Sequence, residues 1–330
     1  MNTTYRTIAV CLMTTLLAAT WAGCRRGEQV GRAGEGKGGS EKPRIALIMK
    51  AQTNPFFRKM EQGARKAAQK HGVDLLVMSV DRETDFAKQG GLVENAVSQG
   101  VDAILIAPAD SKAIVGPLLG AQAKGIRIIN LDNRIDAEAA KGAGLKVETF
   151  IGPDNAEGAY KATQRLIELI GGSGQVAILE GIRGVDNAEQ RKRGFETAVA
   201  KTKGKVKVVA RKTGNWMTEP AQREMEGILT RCPDLNGVFC ANDSMALGVI
   251  QAVLSAGKGG KIAIVSYDNL KAAQDAIKAG NLHGTIEQHP DRMGEKGVEV
   301  ALDLLAGKTV PKEIPIPTDL VTAETLKGGA

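Results

Sequence analysis

Acidic, amide, basic and aromatic side chains recur in this chain at one kind of place, the few residues that follow a short β-branched run. After IALIM comes Lys50-Ala51-Gln52-Thr53-Asn54-Pro55-Phe56-Phe57, after DLLVMS comes Asp81, and IRIINLDN carries Asp132. GQVAILE is followed by GIRGVDNAEQRKRGF with Glu189 and Arg191. Later runs end in Asn242-Asp243 and Asp268-Asn269, and Gln288 closes HGTIEQ. Trp216 lies in the turn-like GNWMTEP. Carboxylates, amides and a guanidinium match a rim of hydroxyls that both donate and accept, while aromatic faces stack on apolar C–H faces. Charged partners make the stronger bonds where water is excluded. The set fits non-covalent capture of a sugar-like ring. Phe57 and Trp216 would cover its faces, and Asp132, Asn242, Asp268, Arg191 and Gln288 would read its rim.

Each residue also has a plainer reading. Asn54-Pro55 suits a helix start, with Asn as N-cap and Pro in the first turn, and that alone explains the pair. Phe56 and Phe57 weigh more, because the whole chain has six Phe, three Tyr and two Trp. Adjacent helix residues cannot both point into one core, so at least one is expected to line a cleft. Trp216 is either a face of that cleft or a loop residue packed on the surface. Lys50 is either a solvated strand-end lysine or a cleft residue. A buried Lys50 would need an acidic partner, with Asp81 or Glu189 as candidates.

Catalysis fits less well. Strand-end carboxylates can serve as general acid and base in sugar hydrolysis. However, no His lies beside a Ser or Cys nucleophile motif, and neither GxSxG nor GxxxxGK[ST] occurs. GGSGQ lies between a helix and a strand, the wrong order for a phosphate loop, and reads as a helix-ending turn. His71, His283 and His289 are scattered. Cys232 sits in a helix-to-strand turn and Cys240 near the end of the next strand, too far apart at about 3.3 Å per residue for a disulfide. Two separate thiols, no metal, no cofactor and no catalytic residue are expected.

The elements that must hold these residues are regular. Strands are expected at Ile45–Met49, Asp74–Ser79, Ala103–Ala107, Ile126–Leu131, Thr149–Gly152, Gln175–Glu180, Lys205–Arg211, Gly237–Ala241 and Lys261–Tyr267. Helical stretches alternate with them, several ending at Gly in KHG, SQG, AKG and KAG, as the left-handed C-cap position favours. Apolar runs alternating with amphipathic helices predict an α/β class with parallel sheets covered on both faces. There are too many units for one ordinary sheet. Two doubly wound lobes are expected, 43–152 plus 289–318 and 153–288 plus 319–330, with a multi-crossing hinge and a ligand cleft between them. The helix at Arg292–Leu305 is expected to return to the first lobe, and the Pro-rich TVPKEIPIPTDL to cross between lobes.

The N-terminus speaks to location. Arg6 precedes the apolar run Ile8–Ala19, too short for a membrane span and suited to a secretory leader over 1–24. It ends LAATWAGC, small residues before Cys24 that resemble a lipobox, with Trp21 in place of the usual Leu; cleavage after Ala22 is the alternative. The stretch 25–42 is Gly-rich and charged and reads as a flexible spacer. Several positives of the net +7 lie near this end, and no basic run carries interleaved aromatics, so nucleic acid is not an expected partner.

NPFF, Leu131-Asp132, CANDSMALG and Tyr267-Asp268, in this order and spacing, resemble the ribose- and allose-binding periplasmic proteins. These have the type I periplasmic binding fold, and the resemblance runs from about Arg44 to the C-terminus. It implies two similar lobes, three crossings and a ligand enclosed between them, with contacts from Asn54, Phe56, Phe57, Asp132, Trp216, Asn242, Asp268 and Gln288. The ribose binders have Ser where Lys50 stands and Arg where Glu189 stands, whereas the allose binder is similar to this chain at both. The resemblance thus implies an exported monomer that delivers an allose-like pyranose to an ABC permease. A sensor docking on a chemoreceptor or membrane kinase is an alternative. A LacI-like regulator shares the core but begins with a helix-turn-helix, where this chain begins with a leader.

Overall fold

The computed structural model describes residues 42–328. The expected leader (1–24) and all of the linker (25–42) except Lys42 fall outside these, Cys24 included. No helix among the described residues is long and apolar enough to cross a membrane.

The first sheet contains β1 (Arg44–Met49), β2 (Asp74–Ser79), β3 (Ala103–Ile106), β4 (Arg127–Leu131), β5 (Thr149–Gly152) and β11 (Glu313–Pro315), all parallel, in the order β11-β5-β4-β3-β1-β2. The second holds β6 (Gly174–Glu180), β7 (Val206–Thr213), β8 (Leu235–Cys240) and β9 (Ala263–Val265), also parallel, in the order β7-β6-β8-β9. In both sheets the first strand in sequence sits inside, with the second on one flank and the third on the other. The two lobes therefore repeat one doubly wound topology, as expected from the alternating pattern. β10 (Thr285–Glu287) and β12 (Asp319–Val321) form a separate antiparallel pair.

Both faces of the first sheet are covered at its middle, which is why β1 is apolar after Arg44 and β3 is apolar throughout. Along β1, Ile45, Leu47 and Met49 join one core with α1 (Pro55–His71) and α10 (Pro290–Leu305). Ala46 and Ile48 join another with α2 (Phe86–Ser98) and α3 (Val115–Gln122). The two-residue side-chain period of a strand divides them. α10 packs along α1 of the first lobe. Their backbones meet so closely that a Cβ on Gly63 would stand 1.9 Å from the Asp291 carbonyl oxygen, and one on Gly294 2.1 Å from that of Met60.

The four glycines of KHG, SQG, AKG and KAG all take positive φ, at 69°, 68°, 80° and 74°. Cys232 and Cys240 are free, with Cys240 buried and Cys232 half-buried. The TVPKEIPIPTDL stretch does more than cross. Glu313–Pro315 adds an edge strand, where a proline is tolerated, and Asp319–Val321 pairs with β10.

Candidate functional site

In an open parallel sheet, ligands lie beyond the carboxyl ends of the strands, where strand order reverses. Here the reversals fall between β1 and β3 and between β6 and β8. Lys50 follows β1, and Asn242 opens α8 (Asp243–Ser255) after β8. A cavity collects residues from both strand ends. Ten of the twelve expected binding residues line it: Lys50, Asn54, Phe56, Phe57, Asp132, Arg191, Trp216, Asn242, Asp268 and Gln288.

On the first lobe, Asn54 Oδ1 caps α1 by accepting from the Phe56 N–H at 3.0 Å, while its Nδ2 donates to Glu83 Oε1 at 3.1 Å. Phe56 and Phe57 are both buried and meet edge to face, with centroids 5.0 Å apart. Lys50 is a cleft residue, its side chain 3 % exposed. Its partner is neither Asp81 nor Glu189 but Asp132, Nζ to Oδ2 3.6 Å. The ammonium also lies 5.8 Å from the Phe57 ring centre and 5.9 Å from that of Trp216, within cation–π range. Asp132 takes a left-handed φ of 59°, which Asp tolerates better than most residues.

On the second lobe the anchor is Arg191, on α6 (Asp186–Ala200) and 3 % exposed. It donates from Nε to Asn155 Oδ1 (2.8 Å), from Nη1 to the Ala241 carbonyl (2.6 Å) and from Nη2 to Gln288 Oε1 (3.1 Å). Its guanidinium stacks 3.8 Å from the Tyr267 ring centre and stands 3.6 Å from Asp268 Oδ1. Gln288 Nε2 donates to the same Asp268 oxygen at 2.6 Å. Asn242 caps α8 through Oδ1 to the Met245 N–H and donates from Nδ2 to the Trp216 carbonyl. Trp216 is buried, and its ring lies so close to Gly181 that a Cβ there would approach within 2.1 Å.

Burial pushes the Glu83 carboxyl above its ordinary range, against the pull of Lys50 and Asn54. Burial likewise raises Asp268 well above it, opposed by Arg191 and reinforced by the charges of Asp243 and Asp132. Behind the site, burial lifts Asp243 to about 7 although Ser266, the Leu270 N–H and Thr285 all donate to it. Among the described residues, the buried Trp216 Nε1 and Asn187 Oδ1 have no protein hydrogen-bond partner, and both residues line the cavity. A buried polar atom without a partner is costly unless something enclosed with it supplies one.

Two expected residues lie elsewhere. Asp81 is 81 % exposed and pairs with Lys88 at 2.8 Å, which lowers its pKa. Glu189 accepts from the Gly184 N–H and pairs with Lys192 on the outer face of α6. In their places stand Glu83 and Asn187. On a helix, Asn187 is four residues before Arg191 and shares its face, whereas Glu189, two residues away, points about 200° around. That spacing was the available signal for Asn187. Nothing in Asp81-Arg82-Glu83 distinguishes the inward acid before the loop is built.

The lobes touch at the mouth of the cavity. α6 has Val185 at its N-cap position and no side-chain cap of its own. Its first N–H groups are met from the other lobe: Asp186 N–H donates to Ser111 Oγ at 3.2 Å and Asn187 N–H to Asn133 Oδ1 at 3.0 Å. The cleft is therefore closed in this structure.

Residues 45–309 match the family described as periplasmic binding protein domain. The chain is 38 % identical over 289 residues to a D-ribose/D-allose-binding protein of Pseudomonas aeruginosa, covering 86 % of this chain and 90 % of that one. It is 34 % identical to the D-allose-binding periplasmic protein of Escherichia coli, over 81 % and 86 % of the two chains. Among solved structures, an ABC transporter periplasmic solute-binding protein from Actinobacillus succinogenes with bound D-allose superposes with a TM-score of 0.83. It is 41 % identical, over 87 % of this chain and all of that one.

Proposed function

Because the chain belongs to the periplasmic binding protein domain family and has its type I, two-lobed fold, we propose that it captures one monosaccharide, an allose-like pyranose, for an ABC importer. The observation that carries this reading is one cavity lined by both aromatic faces and charged hydrogen-bonding groups from two lobes. Phe57 and Trp216 stack on the sugar. Lys50, Asn54, Glu83 and Asp132 bind hydroxyls from one lobe, and Asn187, Arg191, Asn242, Asp268 and Gln288 from the other. The Trp216 indole N–H and the Asn187 carbonyl gain from the sugar the partners they lack in the protein. Relatives named for allose binding, and a similar structure with bound D-allose, support an allose-like ligand.

Binding, not catalysis, is the role the carboxylates suit. Glu83 is held by Asn54, Asp132 by Lys50, and Asp268 by Arg191 and Gln288, so each is spent on orientation. A sugar that contacts both lobes favours the closed population over the open one, and that difference is what a permease reads. Export and tethering through Cys24, with 25–42 as a spacer, complete the proposal, and the protein acts as a monomer.

Calorimetric titration against allose, ribose, galactose, glucose, xylose and myo-inositol tests it. The expected result is tight binding of one pyranose, with its epimers much weaker. Silence across the panel overturns the sugar assignment and leaves the fold untouched. Radiolabelled palmitate incorporation that is lost in Cys24→Ala tests the tether.

A further inference from the structure

Outside the cavity, one carboxylate has every acceptor position filled. Glu287, the last residue of β10, is 6 % exposed. Its Oε1 accepts from the backbone N–H groups of Gln288 at 3.0 Å and His289 at 2.7 Å. Its Oε2 accepts from Lys59 Nζ at 2.8 Å and Asn269 Nδ2 at 2.9 Å. Four donors is what an ionised carboxylate accommodates, and charge makes each bond shorter and stronger.

The three segments that converge on Glu287 all carry cavity residues. Lys59 belongs to α1, two residues beyond Phe57, on the first lobe. Asn269 follows Asp268 in a loop where both take positive φ, 53° and 120°. Gln288 is itself a cavity residue, bonded to Asp268 and Arg191. His289 also has positive φ, at 52°, as the chain turns out of β10 into α10, which returns to the first lobe. Non-glycine residues hold such conformations only where their surroundings determine them. Here a carboxylate supplies that determination, at a crossing between lobes.

Resting on the reading of the cavity as a sugar site, we infer that Glu287 is a positioning residue for binding: it fixes the backbone of Gln288 and the Asp268–Asn269 loop, and ties both to α1 of the opposite lobe. Glu287 touches no ligand, since it does not line the cavity. Its effect is transmitted through Gln288 and Asp268, and through the lobe arrangement that Lys59 secures.

The test uses the full chain, with sugar affinity by calorimetry and backbone amide exchange over 285–290 in the ligand-free protein. Glu287→Gln keeps an oxygen for the two backbone N–H groups but turns an amide N–H toward Lys59 and Asn269. Affinity is expected to fall about tenfold or more, the scale of a lost charge-assisted bond. Lys59→Met, at a half-exposed position, is expected to weaken binding a few-fold. The double variant is expected to bind no more weakly than Glu287→Gln alone, a coupling that separate structural damage would not give. Exchange at the Gln288 and His289 amides is expected to accelerate in Glu287→Ala and to stay slow in Glu287→Gln. Affinity for Glu287→Gln within twofold of wild type, additive losses in the double variant, or unchanged exchange in Glu287→Ala would each overturn the inference. A wild-type protein that binds no sugar faults the ligand assignment instead, and the exchange comparison then decides the inference by itself.

Discussion

Helix α6 gives the clearest quantitative prediction, because its cap belongs to the other lobe. An N-terminal helix N–H without a side-chain acceptor is served by water when exposed, but by a protein acceptor when enclosed. In the closed cleft that acceptor for Asn187 is Asn133, which is fully buried and anchored by donating from Nδ2 to the Pro108 carbonyl at 3.1 Å. Opening the cleft separates Asn133 from α6 but leaves the Pro108 bond intact. Asn133 Nδ2 also donates to Ser111 Oγ of the same lobe at 3.3 Å, so Asn133→Ala removes one interaction from the closed state alone and two from both states. Losing a helix cap costs about 0.5–2 kcal/mol, so sugar affinity should fall about two- to thirtyfold. The loss should appear in the dissociation rate, because the bond forms as the cleft closes. Stopped-flow tryptophan fluorescence with Trp216 as reporter, alongside calorimetry and a thermal melt, measures all three quantities. A lowered melting temperature with unchanged affinity and unchanged dissociation would refute the reasoning, since Asn133 would then serve its own lobe only.

Other perturbations follow from the same geometry. Asp132→Ala removes a charged acceptor and leaves Lys50 buried without its carboxylate. Affinity should fall at least about tenfold and stability by about 3–5 kcal/mol, by titration and urea unfolding; unchanged affinity excludes Asp132 from the site. Asp81→Ala and Glu189→Ala should each bind sugar within twofold of wild type, and a larger loss in either would contradict their placement outside the cavity. Asp243 has a folded pKa of about 7 against about 3.9 in an unfolded chain. A raised acid is protonated in the fold while the unfolded chain has already ionised, so its contribution is whole below about pH 4 and is lost as pH rises toward 7. Wild-type stability should therefore decline relative to Asp243→Asn across that window, by at most about 1.4 kcal/mol per pH unit. A flat difference between the two unfolding curves would show that Asp243 does not titrate there.

How much of this was legible in the sequence depended on range. Strands such as Asp74–Ser79 and Thr149–Gly152 could be placed to the residue, because short apolar runs set between helical stretches have few other fates in an alternating α/β chain. The strand-end rule then found most of the cavity, since those positions are set by the sheet and not by loop detail. It failed at Asp81, where the loop after β2 turns an acid two residues later inward, and at Glu189, where helix phase and not proximity decides. β10, β11 and β12 are three residues each. Strands that short carry no periodicity, so the crossings were readable only as proline-rich or irregular chain. Glu287 was invisible for that reason: its four donors lie between 1 and 228 residues away.

One device, used at different strands of the repeat, helps two lobes of different sequence build one site. Asn54 heads the helix after β1, the first strand of its lobe, and Asn242 heads the helix after β8, the third strand of the other. Each spends its side-chain oxygen as an N-cap, on the Phe56 and Met245 N–H groups. Each uses its amide nitrogen to hold another cavity residue, Glu83 in one lobe and the Trp216 backbone in the other. An Asp at either place would keep the cap and lose the donor; a Ser would keep the cap and lose the reach. Asparagine is thus required by the combination, although the cap alone accepts all three residues. The residues that start the helices and those that define the cavity are in part the same residues. A change there alters fold and binding together, whereas a change at Asn133 acts on binding through closure.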